Sequence, residues 1–444
     1  MTSASQGGRP PQTPPEGHSP GGRPRRIPAR GGSPPPRSPL APPSFSDLWR
    51  ELEPLGRDEQ TGGYRRYSWT PADAACRAWF TGQATKRGLT VEPDRNGNLW
   101  AWWGPKGPDA IATGSHLDSV PDGGAFDGPL GVVSALAAVD LLQDKNFFPE
   151  RCVVLAAFTE EEGARFGVPC LGSRLMTGAV DPDAARALTD DAGVTLAEAI
   201  RAAGHDPALI GPDEERLAGL SAFVELHVEQ GRALAPMGAA VGLAEGIWPH
   251  GRWRLDFGGR ADHAGTARFA DRKDPMLAYA RTVLAARHTA AEHGCLATFG
   301  KVIAEPGGTN AVCSAVRAWL DARAPDEATL QAAVTEILIA AERCSDKHGV
   351  TLTVRQESYT PLVRFDPALR DRIARVLAAV GVKAPVLPTG AGHDAGVLAA
   401  RIPTAMLFVR NPTGVSHSPA EHADLPDCEA GVRALAAVLE ALAR

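Results

Sequence analysis

The sequence predicts an α/β fold: a discontinuous, doubly wound domain built on a mixed sheet, with a ferredoxin-like α+β domain inserted into it. Three observations predict this arrangement. Short apolar runs typical of strands alternate with helical segments in the first half of the chain. A strand–helix–strand–strand–helix–strand pattern occupies residues 248–358, and α/β character then returns and continues to the C-terminus.

The first 43 residues differ in composition from the rest of the chain. They contain thirteen of the 38 prolines, six arginines and one acidic residue, with almost no large apolar side chain. Such a segment cannot bury enough surface to offset its conformational entropy, so we expect residues 1–43 to be a disordered tail. They lack the apolar run of a secretory signal, and their prolines would break the helix of a transit peptide.

Residues 44–247 are expected to form the first part of the main domain. Helices are predicted between residues 45 and 89, including one that begins after Pro71. Strands are predicted at 99–103, 110–113, 153–158 and 222–227, and a buried helix at 131–142. The N-terminus of this buried helix follows a polar segment directly, so its dipole would face any group that the segment binds.

Residues 248–358 are expected to form the inserted domain. Strands are predicted at 253–257, 297–303, 315–321 and 350–356, and helices at 275–288 and 327–343. This order of elements is typical of a ferredoxin-like unit. Residues 359–444 would then complete the main domain.

Composition excludes several classes of protein. No run approaches the roughly 20 apolar residues that cross a membrane, which argues against a membrane protein. Seven cysteines without a Cys-x-x-Cys spacing argue against a disulfide framework or a thiolate zinc site, and favour a reducing, cytoplasmic location. The chain has a net charge of −6 and no basic stripe outside the tail, which argues against nucleic acid as a binding partner.

Potential metal ligands lie in short polar segments, two of them at the ends of predicted strands. They are His116, Asp127, Glu162, His227 and His417. Two imidazoles and a carboxylate would form one site, and a shared aspartate with a glutamate and a histidine a second. A single histidine or an acidic run is usually structural, but functional sites are built at the carboxyl ends of strands in open α/β sheets. The set therefore predicts a dinuclear hydrolase centre, where two cations activate water and polarise a carbonyl.

Six motifs together resemble one enzyme family. They are Ser115-His-Leu-Asp-Ser-Val120, Phe126-Asp-Gly128, Glu161-Glu-Gly163, His227-Val-Glu-Gln-Gly231, His263-Ala-Gly265 and His417-Ser-Pro419. From about residue 45 to the C-terminus, the chain resembles metal-dependent amidohydrolases of the aminoacylase and dinuclear zinc carboxypeptidase superfamily. Within it, the chain is similar to N-carbamoyl-L-amino-acid hydrolases, β-ureidopropionases and allantoate amidohydrolases. The segment beginning at His227 favours this branch, because carboxypeptidase relatives have a carboxylate at that ligand position.

The resemblance implies a role for each ligand. One metal would be held by His116, Asp127 and His227, and the other by Asp127, Glu162 and His417, so that Asp127 bridges the two. Histidine and carboxylate ligands favour zinc or manganese, and cobalt and nickel also fit.

The resemblance also assigns residues beside the ligands. Asp118 would accept the second N–H of His116, unless it is an ordinary turn residue. Glu161 would be the general base, taking a proton from water and passing it to the leaving nitrogen. The neighbouring Glu160 could raise the pKa of Glu161 or point outward, and we expect it to point outward.

Substrate-binding residues are implied in the same way. His263 would stabilise the oxyanion, while Asn310 and Arg323 would hold a substrate carboxylate. In the family these groups reach the metals by closure of the inserted lid, and some come from the partner subunit of a homodimer. Gln230 and His393 would line the pocket, although a structural role for His393 is equally supported.

One departure from the family pattern suggests a second substrate contact. After His263 and the three residues that follow it, the branch usually continues Thr-Pro-Met, whereas this chain has Ala267, Arg268 and Phe269. We hypothesise that Arg268 or Arg272 contacts a second anionic or polar group of the substrate. An Arg268→Ala variant with an unchanged preference between acidic and neutral substrates would contradict this.

The sequence thus predicts a cytoplasmic, homodimeric enzyme with two divalent metal ions that hydrolyses the linear C–N bond of an N-carbamoyl-L-amino acid or of allantoate. An N-formyl or N-acyl amino-acid hydrolase, or a dipeptidase, would use the same metal core. A non-catalytic binding protein is disfavoured, because the expected base and all five ligands are retained.

Overall fold

The computed structural model describes residues 44–444, so the expectation of a disordered tail concerns residues outside the described part. The described chain contains a nine-stranded mixed sheet, a four-stranded antiparallel sheet and a two-stranded ribbon. The predicted α/β fold with a central mixed sheet is confirmed. No helix in this part of the chain is long and apolar enough to cross a membrane.

The strands are β1 (Thr90–Pro93), β2 (Leu99–Trp103), β3 (Ala110–His116), β4 (Val153–Phe158), β5 (Leu220–Val228), β6 (Val241–Ile247), β7 (His250–Gly258), β8 (Asp262–His263), β9 (Leu296–Glu305), β10 (Ala311–Val312), β11 (Ala315–Arg323), β12 (Thr351–Thr360), β13 (Val363–Arg364), β14 (Val386–Thr389) and β15 (Thr404–Val409).

The α-helices are α1 (Phe45–Leu52), α2 (Pro71–Lys86), α3 (Pro129–Asp144), α4 (Leu171–Thr177), α5 (Pro182–Arg186), α6 (Leu196–Ala202), α7 (Glu214–Ala218), α8 (Leu234–Met237), α9 (Pro275–His293), α10 (Glu327–His348), α11 (Pro367–Ala379), α12 (Asp394–Leu398) and α13 (Leu425–Leu442). Two short 3₁₀ helices lie at Pro207–Leu209 and Phe269–Asp271.

The main sheet has the strand order β1-β2-β4-β3-β5-β15-β6-β13, and β14 also pairs with β6. Its four central strands, β4, β3, β5 and β15, run parallel to one another. Strands β2 and β6 run antiparallel on either side. The carboxyl ends of the four parallel strands therefore meet at one edge of the sheet, which is where ligands bind in open α/β folds.

Helices cover both faces of this sheet because its strands alternate large apolar side chains toward each face. In β15, Leu407 faces a core that includes residues of α3 and α13, whereas Phe408 faces a second core with residues of α12. Strand β5 divides in the same way, with Val224 on the first side and Phe223 on the second. The doubly wound arrangement follows from this alternation.

The four-stranded sheet contains the βαββαβ sequence of elements that the chain pattern predicts. Its order is β12-β7-β11-β9, all neighbours are antiparallel, and α9 and α10 pack against each other and the sheet. Inward-facing residues such as Leu255, Phe257, Leu320 and Ile337 form a separate apolar core. The ribbon of β8 and β10 extends this unit and was not predicted.

A buried ion pair fixes α3, the helix that follows Asp127. Arg87 and Asp140 are 2.6 Å apart, and both side chains are buried. We expect Asp140→Ala to lower the free energy of unfolding by about 3–5 kcal/mol, because Arg87 would keep a buried charge without its partner. Chemical denaturation measures this, with Asp144→Ala as the control because Asp144 is exposed on the same helix. Equal losses in the two variants would contradict the prediction.

Candidate metal centre

The predicted ligands converge at the carboxyl edge of the four parallel strands. His116 is the last residue of β3, and His227 lies near the end of β5. Glu161 and Glu162 follow the end of β4, and His417 lies in the loop after β15. Residues up to 301 positions apart in the chain are thus brought to one place by parallel strand pairing.

Asp127 lies between two groups of side chains. Its Oδ1 is 3.5 Å from His116 Nε2 and 3.2 Å from His227 Nε2. Its Oδ2 is 3.4 Å from His417 Nε2, which is also 3.7 Å from Glu162 Oε2. Each carboxylate oxygen therefore faces a different set of nitrogen and oxygen donors, as a bridging ligand requires.

The donor set fits divalent cations. In each group of three residues, the candidate ligand atoms lie within 4.8 Å of one another. The buried Nε2 of His116 has no hydrogen-bond partner within residues 44–444. A buried imidazole nitrogen without a partner is costly unless something else satisfies it, and a cation between His116, Asp127 and His227 would do so.

The carboxylates and imidazoles shift one another's pKa. Contact with Asp127 raises the pKa of His417 to about 9, with a smaller contribution from Glu162. Burial, reinforced by the charge of Asp127, raises the pKa of Glu162 to about 7. Burial also disfavours ionised Asp127, but the close approach of His116, His227 and His417 outweighs it and holds the pKa of Asp127 well below its usual range. The negative charge of these carboxylates favours the protonated form of the histidines, and it would equally attract metal ions.

Glu161 lies beside this centre. Its Oε2 is 3.6 Å from His116 Nε2, and its Oε1 accepts a hydrogen bond from the thiol of Cys170 at 3.4 Å. Burial raises the pKa of Glu161 well above its ordinary value, against the opposing effect of His116. A carboxyl group in such a position can exchange a proton with a molecule at the centre.

Asp118 contacts both sides of the site. Its carboxylate accepts hydrogen bonds from the backbone N–H groups of Glu161 and Glu162, at 3.2 and 3.0 Å. His116 Nδ1 lies 3.1 Å from the backbone carbonyl of Asp118 and 3.5 Å from its carboxylate. Asp118 therefore orients the histidine mainly through its carbonyl, and it fixes the acidic loop through its side chain.

The expectation that Glu160 points outward is wrong. Glu160 is only 1% exposed, and its carboxylate accepts hydrogen bonds from the backbone N–H groups of Arg165 and Phe166. Burial raises its pKa to about 7. The Glu160 side chain therefore binds the backbone of the loop that follows β4, and it does not point into solvent.

Several supporting side chains were not identified from the sequence. Glu421 accepts hydrogen bonds from the backbone N–H groups of Phe126 and Asp127, at 2.8 and 3.0 Å, and from Ser416. Ser416 Oγ also lies 3.1 Å from Asp127 Oδ2, so its single proton can bond to either carboxylate. The available signal was the position of Glu421, four residues after the predicted ligand His417.

Two further acidic residues, Glu225 and Asp394, are buried near the histidines of the site. Glu225 accepts hydrogen bonds from Ser115 and from the backbone of Ala395, and Asp394 accepts one from Ser173. Burial, reinforced by the charge of Glu225, raises the pKa of Asp394 to about 8. The sequence signal was the position of these two acidic residues: Asp394 is adjacent to His393, and Glu225 lies two residues before His227.

Three of the predicted pocket residues line one cavity of about 420 Å³ next to the ligands. Gln230 donates to Asp127 Oδ2 at 2.7 Å. His393 packs its ring 4.5 Å from that of His227, and burial lowers its pKa well below the usual value. Arg323 reaches the cavity from the four-stranded sheet, held by Asp321 at 2.8 Å and by the carbonyl of Gly390.

The other three predicted contacts lie outside this cavity. His263 lies in β8 and Asn310 directly before β10; both are exposed, and the Ala264 N–H donates to the carbonyl of Asn310. Arg268 is 82% exposed and forms an ion pair with Asp271. The structure thus brings the five ligands, Glu161 and Arg323 to one region, but places these three side chains elsewhere.

Comparison with known proteins identifies the family. The model of peptidase family M20/M25/M40 matches residues 112–441, which include every predicted ligand and most of the fold. The chain belongs to this family. M20 proteins are metal-dependent hydrolases, and the resemblance found in the sequence is confirmed.

Relatives of this M20 protein match along most of its length. It is 34% identical over 393 residues to an N-carbamoyl-L-amino acid amidohydrolase of Geobacillus stearothermophilus, covering 87% of this chain and 96% of the relative. It is 30% identical to the allantoate amidohydrolase of Escherichia coli (strain K12), covering 88% and 96%. A hydantoinase/carbamoylase family amidase from Burkholderia vietnamiensis has a similar structure, with a TM-score of 0.81, 28% identity and coverage of 90% and 96%.

Gly128 sets the position of His116 in this M20 chain. Its φ is +83°, and a Cβ there would lie 2.4 Å from the His116 ring. We expect Gly128→Ala to displace the imidazole and weaken metal binding at least tenfold, a typical effect of disturbing a ligand's support. Gly167→Ala is the matched control, because Gly167 also has positive φ (+76°) but no described residue has an atom within 4 Å of a Cβ there. Equal metal affinity in both variants, measured by competition with a chelator, would contradict this.

Proposed function

We propose that this protein is a metal-dependent amidohydrolase that cleaves the linear C–N bond of an N-carbamoyl-L-amino acid or of allantoate. The observation that carries the proposal is the division of the two Asp127 oxygens between two donor groups, with Glu161 beside one of them. The similarity to carbamoyl-amino-acid and allantoate amidohydrolases over most of the chain supports the substrate class.

The proposed cofactor is a pair of divalent ions, zinc or manganese. His116, Asp127 and His227 would hold one, and Asp127, Glu162 and His417 the other. Two such cations, when bound, activate water and polarise the substrate carbonyl. Thiolate ligands are not part of the donor set, which leaves cobalt and nickel as further candidates.

Glu161 is the proposed general base. From its position beside the centre it would take a proton from the attacking water and return it to the leaving nitrogen, so that the C–N bond breaks as an amine forms. Asp118 holds the backbone of Glu161 and Glu162 and thereby positions both carboxylates. A carbamoyl substrate would yield the free amino acid, carbon dioxide and ammonia.

The inserted unit, residues 248–358, is proposed to act as a lid and dimerisation domain of a cytoplasmic homodimer. Arg323 already lines the cavity and suits a substrate carboxylate. His263 and Asn310 lie close together beside the β8–β10 ribbon and outside the cavity, so they would act after lid closure or in the site of a partner subunit. All seven cysteines are free, which supports a reducing compartment.

The test is product release from a substrate panel by metal-reconstituted protein. The panel contains allantoate, N-carbamoyl-L-amino acids, N-carbamoyl-β-alanine and N-formyl-L-glutamate. We expect metal-dependent ammonia release from at least one ureido compound. Formate release without ammonia would instead favour an N-formyl amino-acid hydrolase. Activity only on dipeptides, which are tested after the panel, would favour a dipeptidase. No turnover with metal bound would contradict the proposal.

A further inference from the structure

Four arginines line the cavity beside the candidate metal centre, and three of them have partners. Arg252 and Arg323 both bind the carboxylate of Asp321. Arg401 binds Glu214 and the carbonyl of Thr177. These three guanidinium groups are therefore occupied within the protein.

The fourth, Arg174, has no such partner in the described part of the chain. Within residues 44–444 its side chain forms no hydrogen bond and no ion pair, and its Nε is completely buried. Placing a guanidinium nitrogen away from water without an acceptor is costly, and such a group calls for an explanation. The two terminal nitrogens of Arg174 are not among the buried atoms, and the side chain lines the cavity, so a ligand there would bind the guanidinium through these terminal nitrogens.

Arg174 is close to the proposed chemistry. It lies on α4, where its backbone N–H donates to the carbonyl of Cys170 at 2.8 Å. The thiol of Cys170 is 3.4 Å from Oε1 of Glu161, the proposed base. Arg174 therefore lies one helical turn after a residue that contacts this base. The same cavity is lined by the apolar side chains of Val397 and Ala400. The wall thus combines apolar surface with a cation.

We infer that Arg174 binds a second carboxylate, carried by the side chain of the substrate. The substrate class is then the N-carbamoyl derivative of a dicarboxylic amino acid, with its methylene groups against the apolar wall. This inference rests on the proposed function and narrows its substrate. Arg323, which the proposed function assigns to the α-carboxylate, would exchange one of its present acceptors, Asp321 or the carbonyl of Gly390, for the substrate. Arg268, the residue considered for a second substrate contact from the sequence, lies outside this cavity, exposed and paired with Asp271.

A guanidinium suits this task because it binds a carboxylate through two parallel hydrogen bonds, which lysine cannot reproduce. A charged hydrogen-bond pair of this kind changes affinity by roughly 10- to 100-fold. The competing explanation is that Arg174 only balances the nearby acidic side chains. In that case its loss would affect acidic and neutral substrates alike.

The test compares N-carbamoyl-L-glutamate with N-carbamoyl-L-glutamine, which are nearly identical in shape and differ in charge. The wild type should favour the glutamate compound in kcat/KM by about 10- to 100-fold. Arg174→Gln should bring this ratio near unity with little change for the glutamine compound, and Arg174→Lys should retain part of it. Arg201→Gln, an exposed arginine outside the cavity, should leave the ratio unchanged.

A binding measurement separates this inference from the proposed function. Calorimetric titration of metal-loaded Glu161→Gln protein, with and without Arg174→Gln, gives Kd for both compounds without turnover. A preference for the glutamate compound that disappears with Arg174→Gln supports the inference, even if the wild type hydrolyses neither compound and the proposed function fails. Three results would overturn the inference: equal Kd values for the two compounds in the Glu161→Gln protein, equal weakening of both by Arg174→Gln, or no binding of either compound.

Discussion

Substitution of Glu161 by glutamine is expected to lower kcat by about 10²- to 10⁴-fold, the usual contribution of a positioned general base. Glutamine keeps the shape of the side chain and can still accept a hydrogen bond from Cys170, but it cannot take a proton. The fold and the metal content should therefore remain those of the wild type. Steady-state kinetics on the best substrate of the panel, together with metal analysis of the purified protein, measure this effect.

Glu160→Gln is the matched control for this substitution. The two glutamates are adjacent and both buried, but Glu160 is directed into its own loop by the N–H groups of Arg165 and Phe166. We expect Glu160→Gln to reduce kcat less than tenfold, because glutamine can accept the same two hydrogen bonds. Similar losses in both variants would mean that the loop conformation, and not proton transfer by Glu161, limits activity.

Substitution of His417 by alanine is expected to remove about one equivalent of metal per chain and nearly all activity. His417 provides the only imidazole of the group that contains Glu162, and it approaches Asp127 Oδ2 at 3.4 Å. Two carboxylates alone would hold a cation such as zinc or manganese less tightly, since imidazole suits these metals. Plasma emission spectrometry after dialysis gives the metal content.

His422 provides the control, because it lies five residues further along the same loop. Its side chain is 54% exposed, compared with 52% for His417, but it binds Asp424 and not the ligand cluster. His422→Ala should keep both metal equivalents and the activity of the wild type. If His417→Ala also retained both equivalents, the assignment of the second group of ligands would be wrong.

Most of the regular elements could be predicted because their signals are local. Strands β2 and β4 are continuous apolar runs, and their predicted bounds agree with the structure. The β8–β10 ribbon was missed because each strand has two residues, too few for a periodic pattern. The C-terminal segment, with strand β15 and helix α13, was predicted only as general α/β character.

The candidate site divides in the same way. The types and spacing of the residues in the motifs indicated which side chains to examine, and the structure brings all five predicted ligands together. The burial of Glu160 and the support of Asp127 by Glu421 could not be predicted. Both depend on how loops pack against each other, as in the contact between residues 127 and 421.

The sequence by itself determined the α/β class, the βαββαβ unit, the family and the set of side chains that can hold metal, because these depend on short-range patterns and residue chemistry. Only the tertiary structure decided that Asp127 presents one oxygen to each donor group, that Arg174 has no partner within residues 44–444, and that His263 and Asn310 lie away from the cavity. Such relations are set by strand pairing and packing between residues far apart in the chain, which no local pattern records.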